Sequence, residues 1–333
     1  MSEVNNNEEL ALPPQYSRSR DNQVTNNFNI NNESSYTQVE PPLYAESTPS
    51  DQESDLPQEY HKRRQIQQEE NECSICCRDC SPEHQIKGQT AIVTGGTKNL
   101  GGETAKELAR LGANLFLHYR SNEQQAKDFQ KELSSKYPDI KIELYQADLT
   151  DDASLKKLFD EAKSKFSNGI DIAINNVGQV VKKPITEITE EEFNSLDSKN
   201  NKVAFFFIKY AGLNLNKNGR IISIGTSLLA AYTEYYGGYQ GTKAPLEFYS
   251  KAASKELLPK GITSNIVSPG PMETSFLLNS ETKESVDFFK TVGLHGRLTQ
   301  VSDIVPIIRF LVTEGTWITG QNIFANGGFT SPK

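Results

Sequence analysis

From Lys87 onward, short apolar runs alternate with longer stretches whose apolar residues recur every three or four positions, a pattern that predicts strands and helices in turn. Residues 90–94 form a brief apolar run bounded by glycine, and 105–111 follow at helical spacing, which predicts strand, glycine turn and helix. Further strands are predicted at 114–119, 141–148, 171–176, 219–225, 263–267 and 321–325, with helical sequence between them, as at 122–136 and 153–166. Such alternation implies right-handed crossovers and a parallel sheet of about seven strands covered on both faces: a doubly wound, Rossmann-type α/β fold in a single domain. Ligands in that architecture sit at the carboxyl ends of the strands, so chemistry is expected just after each predicted strand.

Residues 1–86 show neither period. They are rich in Asn, Gln, Glu, Ser and Pro, a composition that buries too little apolar surface to offset its ordering entropy, and are expected to form a disordered extension before a folded domain at 87–333. A formal net charge of −8 and a pI near 5.3 argue against nucleic acid as a partner, because its phosphates require a concentrated basic face. The longest aliphatic or aromatic run, 203–208, is too short to span a bilayer, and the N-terminus lacks the basic-then-apolar order of a signal peptide. No membrane span and a cytoplasmic location are therefore expected. All four cysteines, Cys73, Cys76, Cys77 and Cys80, fall in the extension with His84 close by. They read either as a cramped soft-metal site or as a redox-labile or lipidated cluster.

Two segments of the folded part carry candidate chemistry. The turn Thr94-Gly95-Gly96-Thr97-Lys98-Asn99-Leu100-Gly101-Gly102 lies between a strand and a helix, where glycine lets backbone approach a pyrophosphate and the helix start offers unpaired N–H groups. Alone, it reads equally well as an ordinary tight turn. Tyr239-Gln-Gly-Thr-Lys243 puts a phenol and an ammonium one helical turn apart on the same side. A nearby cation is expected to lower the phenol pKa from its reference of about 10, suiting Tyr239 to general acid or base work.

In their order along the chain, these features resemble the short-chain dehydrogenase/reductase family, from Lys87 to about Phe329. Thr94, Gly95 and Gly101 match its Thr-Gly-x-x-x-Gly-x-Gly signature, and Asn99 stands where the middle glycine belongs; asparagine tolerates left-handed backbone well. The resemblance implies coenzyme contacts from Gly95, Thr97, Lys98, Asn99, Leu100 and Gly101. NAD-preferring members usually carry an acidic residue at the end of the second strand, whereas here Tyr119 is followed by Arg120 and Ser121. With Lys98 these would surround a 2′-phosphate, so NADP(H) is expected and NAD(H) is admitted; two solvated surface cations are the plain alternative. Asp148-Leu149 resembles the adenine-contacting pair, and Asn175-Asn176-Val177-Gly178 the family's Asn-Asn-Ala-Gly turn. Pro269-Gly270 with Thr274 resembles the segment that contacts the nicotinamide carboxamide.

Thirteen residues before Tyr239, Thr226 occupies the place of the family's catalytic serine, with Ser227 as the neighbouring candidate. The family's catalytic asparagine, which holds a water in the proton relay, aligns with Asn200, with Asn201 as competitor. Tyr239 and Lys243 would complete the set, the lysine also holding the nicotinamide ribose. The implied activity is metal-free hydride transfer between nicotinamide C4 and a carbonyl or alcohol carbon of a small molecule, in a homodimer or homotetramer. Because Asn99 and Thr226 depart from the family pattern, a catalytically weak NADP(H)-sensing protein is the alternative. Substrate choice is expected in 275–294 and in Leu228, Leu229, Tyr232, Tyr235 and Tyr236, an apolar or aromatic lining that admits small aldehydes, ketones and fatty or sterol-like carbonyl compounds.

Overall fold

The computed structural model of the chain describes residues 86–231 and 233–331. The expectations for the N-terminal extension, for its four cysteines and for Tyr232 lie outside the described residues. Seven strands, β1 (Thr90–Val93), β2 (Asn114–Tyr119), β3 (Ile142–Gln146), β4 (Ile170–Asn175), β5 (Leu215–Ile224), β6 (Thr263–Pro269) and β7 (Asn322–Ala325), form one sheet. Their order is β3-β2-β1-β4-β5-β6-β7 and every pairing is parallel, which is the doubly wound arrangement the alternation predicts. Among the described residues no helix is long and apolar enough to cross a membrane.

The helices cover both faces. On one lie α1 (Asn99–Arg110), α2 (Glu123–Lys136) and, late in the chain, α10 (Val301–Val312); on the other lie α3 (Asp152–Lys165), α5 (Val203–Asn214) and α7 (Pro245–Glu256). The pleat of β1 divides its side chains accordingly: Ala91 and Val93 join the first core and Ile92 the second. All four β1 residues are buried, as a central strand covered on both sides requires. Ile86, assigned to the extension by its composition, is buried in the first core, so the folded part includes it.

Two departures from the predicted elements bear on the site. Strand β5 begins at Leu215, four residues earlier than the pattern suggests, because Leu215 is buried and pairs with Ile170 before the polar residues 216–218 break the register. The stretch after β4 forms α4 (Glu190–Leu196), then a π-helical turn over Asp197–Lys202, then α5, without a loop between them. Downstream, α6 (Gly237–Lys243) ends where Pro245 opens α7, a first-turn position at which proline's missing N–H costs nothing. The C-terminal third adds α8 (Ser275–Leu278) and α9 (Lys283–Val292) between β6 and α10.

The second core is anchored by Phe207 of α5, fully buried and packed edge to face on Phe159 of α3 at 5.3 Å between ring centroids. Phe207→Ala is expected to lower the unfolding free energy by about 3–5 kcal/mol in urea denaturation, the range for emptying a large buried site. A loss below about 1 kcal/mol would show that this face repacks without it.

Candidate active site

The carboxyl ends of β1, β2, β3, β4, β5 and β6 carry the turns in which most of the singled-out residues lie. The first turn is tight. Gly95 adopts φ 59°, and a Cβ on Gly101 would lie 2.2 Å from the Gly95 carbonyl oxygen, so a side chain at 101 would force the turn open. Asn176, a predicted coenzyme contact, instead braces this turn: its Nδ2 donates to the carbonyls of Thr94 (3.2 Å) and Gly95 (3.4 Å), and its amide donates to Thr94 Oγ1 at 2.9 Å. Lys98 caps α1 without a side-chain hydrogen bond.

Around the rim, Lys98, Arg120 and Ser121 are exposed, and neither cation is ion-paired among the described residues. Asp148 is exposed after β3, whereas Leu149 buries its side chain in the second core. Asn175 is buried at the end of β4 with its Oδ1 unpartnered. Gly270 at the end of β6 donates its N–H to the Ala325 carbonyl (3.2 Å), which ties this turn to β7. Thr274 is buried at the start of α8, its amide bonded to Met272 O at 2.8 Å.

At the centre, Tyr239 and Lys243 lie on the inner face of α6, both buried. The Lys243 ammonium donates to the Ile224 carbonyl at 3.0 Å. A Cβ at Gly178 would lie 3.1 Å from Lys243 Nζ and 3.2 Å from Asn200 Oδ1, so Gly178, Asn200 and Lys243 converge on one point and the glycine leaves room for the other two. The Asn200 side chain makes three hydrogen bonds: Oδ1 accepts from Gln179 N–H (2.9 Å), while Nδ2 donates to Gln179 O (2.9 Å) and Thr242 Oγ1 (3.0 Å). Its neighbour Asn201 points elsewhere, bonding Asp197 and the Tyr249 hydroxyl. Thr226 lies beside the Tyr239 phenol, its Oγ1 accepting from the Leu228 N–H at 3.3 Å. Ser227 is buried beside it, its carbonyl accepting from Thr330 Oγ1 at 3.0 Å.

The electrostatics differ from the simple expectation of a phenol acidified by its neighbour. Burial pushes the Tyr239 pKa up to about 12, against which the neighbouring Thr226 hydroxyl acts downward. Burial also brings Lys243 down to about 8. The ammonium faces the Ile224 carbonyl, so in this geometry desolvation outweighs charge coupling for both groups.

Three supporting residues escaped the sequence reading. Gln240 and Thr242 occupy the unspecified positions of Tyr-x-x-x-Lys and hold α6 from two sides, Gln240 Nε2 donating to Leu228 O (2.6 Å) and Ala231 O (3.2 Å), and Thr242 joining Asn200. His118 lies inside β2, where it reads as one more core position. Its Nδ1 accepts from the Gly95 N–H (3.1 Å) and its Nε2 donates to Ala147 O (3.0 Å), linking the glycine turn to the end of β3. A polar ring within the apolar run from Leu115 to Tyr119 was the available signal.

With this geometry in place, comparison with known proteins gives a consistent picture. Residues 95–330 match the family model described as Enoyl-(Acyl carrier protein) reductase. NADPH-dependent aldehyde reductase 2, a chloroplastic protein of Arabidopsis thaliana, is 33% identical over 263 residues, spanning 74% of this chain and 96% of the relative. A short-chain type dehydrogenase/reductase of Picea abies is 31% identical over 252 residues, 73% of this chain and 93% of the relative. Among solved structures, a Burkholderia cenocepacia protein described as a dehydrogenase with bound NADP is 44% identical, with a TM-score of 0.72, covering 74% of this chain and 96% of its own.

His118 also generates a pH dependence. Burial depresses its pKa from 6.5 to about 4, the Arg120 charge acting in the same direction and the Ala147 hydrogen bond and Asp148 opposing. The neutral ring therefore contributes stability that is fully present above pH 6.5 and is lost as pH falls toward 4, because the unfolded chain takes up the proton first. Acid titration of unfolding is expected to lose stability across that window, and His118→Asn to flatten the loss. An unchanged acid limb in the variant would contradict the assignment.

Proposed function

The chain belongs to the short-chain dehydrogenase/reductase family, and on that footing we propose that it is an NADP(H)-dependent carbonyl reductase, with Tyr239 as the proton donor to an aldehyde or ketone oxygen. The observation that carries this reading is the meeting of Lys243 with the Ile224 carbonyl, two residues before Thr226, and with Asn200 beside Gly178, one helical turn from Tyr239. The residues fit a dinucleotide: the uncapped start of α1 suits a pyrophosphate, and Lys98 and Arg120, not ion-paired among the described residues, with Ser121 suit a 2′-phosphate, supporting NADP(H) over NAD(H). The names of the Arabidopsis relative and of the NADP-bound bacterial structure point to the same coenzyme.

Bound NADPH would supply the hydride, from nicotinamide C4 to the carbonyl carbon. The protein's own groups handle the oxygen. The Thr226 hydroxyl and the Tyr239 phenol bind it, and the phenol passes its proton to it as the C=O double bond is reduced. A phenol with a raised pKa is fully protonated at neutral pH, so this geometry suits reduction better than oxidation. The Lys243 ammonium stabilises the phenolate left behind. A relay water would rest on Asn200, within a π turn whose wider spacing loosens the usual helical bonding. Exposed Phe205 and Leu213 on α5 and Phe248 on α7 support association into a homo-oligomer.

The test is NADPH consumption at 340 nm over a panel of aldehydes and ketones. Tyr239→Phe is expected to lower kcat by about 10²–10⁴ with NADPH binding retained; binding without turnover across the panel, in the wild type, would contradict the reductase reading. Reduction should also be level below pH about 8 and fall above it as Lys243 loses its proton. Replacing Lys98 and Arg120 together by Ala should raise KM for NADPH at least tenfold while leaving KM for NADH within about twofold, since only the former carries the phosphate.

A further inference from the structure

Where the family signature has its middle glycine, this chain has Asn99, and the added side chain has a partner. Asn99 holds φ 48°, a left-handed conformation that asparagine adopts readily. Its Nδ2 donates to Ser275 Oγ at 3.1 Å, across 176 residues of sequence. Ser275 opens α8 and directly follows Thr274. On the other side of Thr274, Glu273 is already fixed: its amide donates to Thr299 O (3.0 Å) and its carboxylate accepts from Gln300 Nε2 (2.6 Å). Asn99 thus supplies the support on the free side. Farther along the same segment, Lys182 from the loop after β4 bonds Glu281 (2.5 Å) and Ser285 (3.3 Å) and stands 5.8 Å from the ring of Tyr236. Tyr236 packs edge to face on Tyr239, 6.4 Å between centroids. The segment 275–285 is therefore fastened near its start to the glycine turn and at its end to the rim of the Tyr239 site.

We propose that Asn99 is a positioning residue that ties the coenzyme turn to the substrate segment through Ser275, so that Thr274 is held over the turn and coenzyme and segment are retained and released together. The proposal rests on reading the cleft as an NADP(H) site. Glycine at position 99 would keep the backbone conformation and lose the tether, which separates the side chain's role from the turn's shape. Asn99 and Ser275 are both exposed, so neither substitution empties the core.

The experiment is a fluorescence titration of NADPH onto the full chain for wild type, Asn99→Gly, Ser275→Ala and the double variant, with Ser275→Thr as the conservative control. Each of the first two variants is expected to weaken binding about threefold, the double variant no further, and Ser275→Thr to bind as the wild type does. The proposal is overturned if Asn99→Gly weakens binding as much in the Ser275→Ala background as in the wild type, which would trace its effect to turn flexibility, or if neither single variant weakens binding. Wild-type protein that binds no NADPH would overturn the coenzyme reading itself and the tether with it.

Discussion

Lys243 carries an amine into the interior beside the end of β5, and removing a charge from water costs several kcal/mol per ion unless polar groups replace its hydration. Much of the surrounding architecture serves that need. The Ile224 carbonyl accepts from the ammonium, Gly178 leaves the space it occupies, and the π turn brings Asn200 to the same point. The lysine in turn lies one helical turn from Tyr239, so whatever fixes α6 fixes both groups; Gln240 and Thr242 do so from opposite sides. The position of the phenol is thus set by packing of the whole rim, and its raised pKa is the consequence of burial there.

The coenzyme half is built on a different principle, with backbone in place of charge. Asn176 and His118 brace the glycine turn by hydrogen bonds to main-chain atoms of Thr94 and Gly95, while Lys98 leaves the start of α1 without a side-chain cap. Cations enter only at the outer rim, where water is plentiful and a phosphate would add to their attraction. A turn held so firmly from one side and joined by Asn99 to the segment on the other transmits its position to Thr274. The coenzyme half and the substrate half therefore meet through side chains as well as through the sheet.

Much of this was legible in the chain itself. Strand positions followed from apolar runs and the sheet from their alternation with helices, since burial on both faces leaves a strong periodic signature. Thr226 and Asn200 were placed by spacing from Tyr239 and by surroundings, each with a rival next door that local sequence does not separate; in the fold Asn201 turns toward Tyr249, while Thr226 and Ser227 are both buried after β5. Other features were out of reach for physical reasons. The early start of β5 depends on the pairing of Leu215 with Ile170, a long-range contact that local polarity conceals. The roles of His118 and Asn176 depend on which main-chain atoms lie opposite them, and the pKa of Tyr239 depends on burial that a charge-pair argument leaves out.

The central claim is that this site moves a hydride from coenzyme to a carbonyl carbon while Tyr239 protonates the oxygen. The most direct test is turnover of an aldehyde with NADPH carrying deuterium at the transferable nicotinamide C4 position, followed by mass analysis of the alcohol. The account predicts one deuterium bonded to the former carbonyl carbon. Alcohol product without that label, formed while NADPH is consumed, would contradict it.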